Sequence, residues 1–314
     1  MKTLVKVIGM TALAAMAAVP SFSQGEKQGQ GQVVVTILPK KGGATAPEIS
    51  PEKIQLKING KETSITNVIA PKDTGNIELV LLFDSGLRTS LGTQLDEINQ
   101  FIRTLPPNVK LAVAYMQNGR AVFASPFSTD RQQSAKALHL PSGIPGASAS
   151  PYFCLSDLAK NWPQTEGPAR REVLMVTDGV DNYSPRFDPD DPYVQAAIKD
   201  SVRAGIVVYS LYWRDQGRFA SSGYANYAGQ NLLVQVTEAT GGKNFWGGYS
   251  NPVSFEPYLE ELTRRMQNQY ELSFTAPFTG KPQVEAIKVK INAPGIEVAS
   301  PQQVFVTRPG IAEN

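Results

Sequence analysis

Cysteine and histidine each occur once in this chain, as Cys154 and His139. A Cys/His zinc site, a Cys–His nucleophile pair or a Ser–His–Asp triad would have to draw on one of these single residues, which disfavours most familiar hydrolytic chemistry. A lone cysteine also permits no disulfide within the chain. An excess of one charge is lacking too: 30 Lys and Arg stand against 28 Asp and Glu. Residues 1–23 hold Lys2 and Lys6 and no acid, so the remainder carries 28 of each sign and is neutral. That balance argues against nucleic acid as a partner, since duplex binding rests on neutralising phosphates with a basic face. No phosphate-cradling Gly-rich loop with a following Lys occurs, and no HExxH. Beyond the first two dozen residues no run is long and apolar enough to span a bilayer. The mature chain is therefore expected to have no membrane span.

What is present begins with an export signal. Lys2 and Lys6 precede the apolar stretch Val7–Val19, and Ser21-Phe22-Ser23 places small residues where a signal peptidase cleaves. Residues 1–23 are thus expected to be a signal peptide, with cleavage after Ser23. Export without disulfides fits a bacterial periplasmic or extracellular protein. The 314 residues are 41% apolar and 18% charged, enough for a sizeable core and two domains.

Both flanks of the chain read as β-structure and the middle as α/β. Residues 24–32, polar and Gly-rich, are expected to be a flexible leader. Val33–Leu38 is β-branched. Ile54, Leu56 and Ile58 alternate before Asn59-Gly60, a strong hairpin signal because both central residues of such a turn take positive φ. At the far end, Tyr270–Thr275, the alternating Ile287, Val289 and Ile291, Ile296–Ala299 and Gln303–Thr307 are strands. Between the flanks, Ile77–Phe83, Glu172–Val176 and Ile206–Leu211 are continuous apolar runs, the mark of strands covered on both faces. Leu91, Leu95, Ile98, Ile102 and Leu105 repeat at helical spacing. Further helices are expected over Asp130–Leu138, Pro151–Trp162, Pro192–Ala204 with Asp191 as N-cap, Gln230–Thr240 and Ser254–Asn268. Strands alternating with helices imply a doubly wound, mostly parallel sheet. The expected organisation is a β segment at 33–75, an α/β domain at 76–268 and a β tail at 269–314. Neither flank suffices for an independent sandwich. The two are therefore expected to pair into one small β-sandwich into which the α/β domain is inserted.

Polar loops leave the carboxyl ends of the central strands, where such sheets bind ligands. They are Asp84-Ser85-Gly86-Leu87-Arg88, Gly146–Ser150 and Thr177-Asp178-Gly179-Val180-Asp181. A hydrophobic strand ending in Asp84-Ser85, the later Leu174–Gly179 (LMVTDG) and the βαβ spacing between them resemble the von Willebrand factor type A domain. The flanking KIQLKINGKETSI and YELSFTAPF resemble the β segments of acidobacterial-type exported proteins built on that domain. The resemblance implies a metal-ion-dependent adhesion site made of Asp-x-Ser-x-Ser, a middle hydroxyl and a later Asp. Asp84 matches the first Asp, Ser150 (or Ser148) the hydroxyl and Asp178 the last Asp. The two serines are replaced by Gly86 and Arg88. A hard divalent cation wants about six oxygens, so this site is expected to be vestigial. Arg88 is expected to stand in for the cation by pairing with Asp84 or Asp178, and no cofactor is expected. Mg2+ or Mn2+ at Asp84, Ser150 and Asp178 is the alternative, with Thr89, Ser90 or Asp181 as compensating donors.

Other residues weigh less. Asp188–Pro192 reads as a turn and helix start, His139 as an ordinary helix-end residue and Cys154 as a small buried hydrophobe. Aromatic and Arg-rich loops follow the third apolar strand, and aromatics and Arg anchor interfaces. Trp213, Phe219, Tyr224 and Trp246 are accordingly the expected partner-binding residues, against the reading that they fold into a satellite core. The function expected is an exported, non-enzymatic protein-binding or scaffold module. Metal-dependent adhesion is the alternative, and a cell-envelope hydrolase using Asp178 and Asp181 is the reading from a different class.

Overall fold

The computed structural model describes residues 28–40, 48–141, 150–183, 188, 190–214, 223–248 and 250–309, apart from the side chains of 88–90. The expected signal peptide, Ser148, Phe219 and the Arg88 side chain lie outside the described residues. Four strands come first: β1 (Gln28–Pro39), β2 (Ile54–Ile58), β3 (Lys61–Thr63) and β4 (Ile65–Ile69). The α/β unit follows as β5 (Asn76–Asp84), α1 (Leu95–Thr104), β6 (Val109–Gln117), β7 (Arg120–Ser128), α2 (Arg131–Ala137), α3 (Pro151–Lys160), β8 (Ala169–Thr177), α4 (Pro192–Arg203), β9 (Ile206–Tyr212), α5 (Gly223–Thr240) and α6 (Glu256–Met266). The chain then returns through β10 (Gln269–Pro277), β11 (Gln283–Ile291), β12 (Ile296–Ala299) and β13 (Gln303–Val306).

The central sheet runs β7-β6-β5-β8-β9, with β5 parallel to both β6 and β8, β8 parallel to β9, and only the β7 edge antiparallel. Its middle strand explains the unbroken apolar run. Ile77, Leu79, Leu81 and Phe83 point into the core under α1 and α6, while Val80 and Leu82 point into the core under α3, α4 and α5. Both faces are dry, so both parities of the strand must be apolar. Glu78 is the exception. It is buried, and its oxygens accept hydrogen bonds from Trp162 Nε1 at 2.6 Å and from the Thr165 hydroxyl.

The two flanks form one sandwich, as the sequence suggested. One sheet is β12-β1-β10-β4 and the other β13-β11-β2-β3, so each mixes strands from both ends of the chain. Val33, Val35 and Ile37 meet Ile54, Leu56 and Ile58 in a shared core with Tyr270, Leu272 and Phe274. The expected hairpin is present, with Asn59 at φ 48° and Gly60 at φ 80°. The leader reading needs correction at residues 28–32, which are strand and pair with Ser273–Pro277. The reason is steric. A Cβ on Gly31 would lie 2.5 Å from Phe274 Cζ, and one on Gly29 would lie 2.8 Å from the Thr307 carbonyl oxygen. Glycine is what lets this strand approach the second sheet.

Inserted unit and sandwich are joined by polar groups beneath the amino-terminal half of the parallel sheet. Gln269 Nε2 donates to the Tyr209 hydroxyl at 3.0 Å, and Arg170 Nη1 lies 3.9 Å from the Glu271 carboxylate. Arg265 is buried and pairs with Glu261 at 2.9 Å and Glu297 at 3.6 Å. Glu172 is fully buried beside them. Neither of its oxygens meets a donor at good geometry, and burial pushes its carboxyl up to about 7 against the pull of Arg170 and Gln269.

Candidate functional site

The parallel strands bring Asp84 and the Thr177-Asp178 step together. Phe83 is in register with Val176, which sets Asp84 beside Thr177 at the carboxyl edge of the sheet. Asp84 is almost fully buried, yet its carboxylate is well provided for. Oδ1 accepts from the Gly86 N–H at 2.8 Å and Oδ2 from the Thr177 hydroxyl at 2.7 Å. The Thr177 oxygen in turn accepts from the Gly179 N–H at 3.1 Å. A relay of donors thus runs from the Gly179 amide through Thr177 to Asp84. Asp178 accepts from the Val180 N–H and Asp181 from the Tyr183 N–H, each at 2.9 Å. These are Asx turns, in which a carboxylate binds the amide two residues on.

The remaining polar groups are also committed. Ser85 donates to the Met116 carbonyl at the end of β6. Ser150 is buried and caps α3, its oxygen accepting from the Tyr152 N–H at 3.2 Å. Asp191 caps α4 through the amides of Tyr193 and Val194 at 2.8 and 3.3 Å, as the Asp-Pro sequence predicts. Tyr152 lies at the centre of this set. Its hydroxyl donates to the Gly179 carbonyl at 2.9 Å. Burial, followed by the charges of Asp181, Asp178 and Asp191, holds its acidity far from physiological pH. Cys154 is buried, and burial likewise raises its thiol. His139 is exposed and stacks on Tyr115 at 4.2 Å, outside the site.

The loop carrying Asp178 is clamped against α5 by two glycines. A Cβ on Gly179, at φ 70°, would lie 2.5 Å from the Gly229 carbonyl oxygen. One on Gly229 would lie 2.5 Å from the Asp178 carbonyl oxygen. Backbone therefore meets backbone here, which only residues without a side chain permit.

Gly86 offers no side-chain oxygen where the adhesion pattern has its first serine. Both Asp84 oxygens already accept hydrogen bonds from the chain, and the Ser150 oxygen is occupied as a helix cap. Among the described residues no group of three or more His, Cys, Asp or Glu is placed to hold a metal ion. Sequence reasoning missed Thr177 and Tyr152. Thr177 is part of the TDG strand end, but its role as donor to Asp84 depends on strand register.

The aromatic residues divide. Trp213 is a correction: it is 4% exposed and packs edge-on against Phe255 at 5.1 Å. Its N–H donates to the Thr177 carbonyl at 3.1 Å, so the backbone continues the β9 pairing by one residue and the ring falls on the inner face with Tyr209 and Leu211. Trp246 is half-buried, with Nε1 donating to the Ser250 carbonyl at 2.6 Å and its ring edge-on to Tyr258. Tyr224 is 71% exposed and lies in α5, because that helix starts seven residues before the expected Gln230. Tyr227 on the same helix and Tyr183 beyond Asp181 are 61% and 60% exposed. Of these, Tyr183 escaped the sequence reading as a site residue.

The α/β unit has a von Willebrand factor type A-like fold: a doubly wound sheet with one antiparallel edge and an Asp at the end of its central strand. Searches of family models and of curated proteins return no match. Among solved structures the chain is similar to BatB from Bacteroides thetaiotaomicron, at 14% identity and TM-score 0.44 over 61% of this chain and 97% of that one. An aerotolerance-related membrane protein from Bacteroides fragilis matches at 15% identity and TM-score 0.44, over 61% of this chain and 98% of that one. The SpRpn10 VWA domain matches at 11% identity and TM-score 0.39, over 60% and 93%. No helix among the described residues is long and apolar enough to cross a membrane.

Proposed function

We propose that this protein is an exported, non-enzymatic protein-binding module that works without a metal ion. The observation carrying this reading is the internal satisfaction of Asp84. In the adhesion pattern a cation neutralises the acids at the strand ends, whereas here an amide and a hydroxyl supply the compensating partial charges. A group so committed is not free to act as nucleophile or base. Asp178 and Asp181 each anchor a turn, which supports a structural role over an acid–base pair.

The binding surface is the rim around this site. Tyr183, Tyr224 and Tyr227 are largely exposed, and large exposed aromatics are the side chains that carry interface energy at low entropic cost. The partner is a protein. Export rests on the n-region, apolar run and small-residue cleavage site of residues 1–23. The test is a pull-down from envelope extract with wild type and a Tyr224→Ala/Tyr227→Ala variant, each with and without EDTA. The expected result is a specific protein retained by wild type in both buffers and lost from the variant. Retention abolished by EDTA supports metal-dependent adhesion instead.

A further inference from the structure

The sandwich sheet β13-β11-β2-β3 carries a one-sign charge array on its outer face. Its inner positions, Ile54, Leu56, Ile58 and Ile287, are core. Outward positions alternate with these. On β2 they are Gln55 and Lys57; Lys53 ends the short 3-10 turn just before β2, and its carbonyl accepts from the Asn292 N–H at 2.9 Å. On β11 they are Val284, Ala286, Lys288 and Lys290. Val284 and its cross-strand partner Phe305 pack against the α/β unit, so that end of the face is covered. The other end is open, with Lys53, Lys288 and Lys290 exposed and Lys57 half-exposed. Lys288 stands directly opposite Lys57. Glu62 on β3 faces Lys57 from the other side at 3.6 Å, leaving a clear positive excess.

Ordinary sheet physics does not call for this arrangement. Lysines guard edge strands against aggregation, but β2 and β11 are the two interior strands of this sheet. Like charges placed directly across a strand pair destabilise it. A solvated face is satisfied equally well by Thr, Gln or charges of alternating sign. In a chain with nearly equal numbers of acids and bases, three lysines on one open sheet face, with exposed Lys53 just before β2, are a local concentration of charge.

We propose that this lysine face docks on the anionic headgroup surface of a phospholipid bilayer. The face is an open sheet surface, so its cations can approach a planar array of phosphates together. It places no aromatic ring among its lysines, which argues against a single-stranded nucleic acid that would need stacking platforms. Attraction from a handful of lysines at an acidic membrane is modest, additive and salt-sensitive. The sandwich would hold the protein at the membrane with the tyrosine rim of the α/β unit left to its partner. The inference stands independently of the function proposed above.

Vesicle flotation tests it, with phosphatidylcholine vesicles either pure or containing phosphatidylglycerol. Wild type is expected to float with the acidic vesicles only and to be released by high salt. Each lysine removed is expected to weaken partitioning about fivefold. Lys288→Gln/Lys290→Gln should therefore lose most binding, while Lys288→Arg/Lys290→Arg keeps it. A control with the same charge change on the α/β unit, Arg120→Gln/Lys136→Gln, should float like wild type. Four results would overturn the proposal: equal flotation with neutral vesicles, wild-type flotation by Lys288→Gln/Lys290→Gln, an equal loss in the control, or retention on dextran sulfate beads with no flotation at all. Circular dichroism of each variant checks that the sandwich is folded.

Discussion

The two ends of the parallel sheet treat a buried carboxylate in opposite ways. At the carboxyl end Asp84 receives an amide and a hydroxyl. Towards the amino end, where the sandwich joins, Glu172 receives no well-formed hydrogen bond and its carboxyl is pushed up to about 7. Burial is similar in the two places. What differs is the supply of donors, and that supply is set by backbone geometry. Asp84 precedes a tight turn whose amides face back towards it. Glu172 sits inside a strand whose amides are spent on the sheet ladder, leaving only side chains such as Arg170 and Gln269 to approach. The first arrangement spends the carboxylate on the chain's own donors, the second raises the pKa of a carboxyl at the junction of two units.

Four changes sharpen that contrast, beginning with the largest effect. Gly179→Ala forces a Cβ into the Gly229 carbonyl at a positive φ. A loss of about 3–4 kcal/mol in urea unfolding is expected, or failure to fold. Glu172→Gln acts through pH. The folded pKa of about 7 lies above the ordinary 4.5, so the folded protein keeps a proton that the unfolded chain releases. Wild-type stability should therefore fall as pH rises through that window, by roughly 3 kcal/mol at most. The glutamine variant should be flat across it. Unfolding curves at a series of pH values read the difference directly.

Asp84→Ala strands the Thr177 hydroxyl and the Gly86 amide in a buried site. It should cost about 2 kcal/mol. Ser150→Ala removes only the cap of α3 and should cost about 1 kcal/mol in the same assay. Equal costs for the last two would mean that Asp84 is no better bonded than an ordinary cap. The contrast between the two ends of the sheet would then lose its basis.

The α/β architecture was legible because its signals are local. The β5 run is apolar at both parities, Asp191-Pro192 starts α4, and Asn59-Gly60 turns a hairpin. The sandwich could be inferred only from the insufficiency of each flank, and its first strand was obscured by Gly29 and Gly31. Those glycines read as a leader until Thr307 and Phe274, both distant in the sequence, show what Gly29 and Gly31 accommodate. Trp213 was misassigned although the sequence held the correction. Val207, Tyr209, Leu211 and Trp213 keep one period-2 column, so the ring belongs to the core beneath the strand. The acids of the site were legible as a motif, but their bonding was not. Whether Asp84 meets a metal, an arginine or a threonine depends on the register of β5 with β8, which no spacing along the chain encodes.

The central claim is that the strand-end acids are completed by the chain itself. Thermal unfolding of the purified protein against increasing Mg2+ and Mn2+, with EDTA as reference, tests it most directly. The midpoint is expected to be independent of metal up to millimolar concentrations. A saturable rise in the midpoint with either cation, abolished by Asp178→Ala, would contradict it.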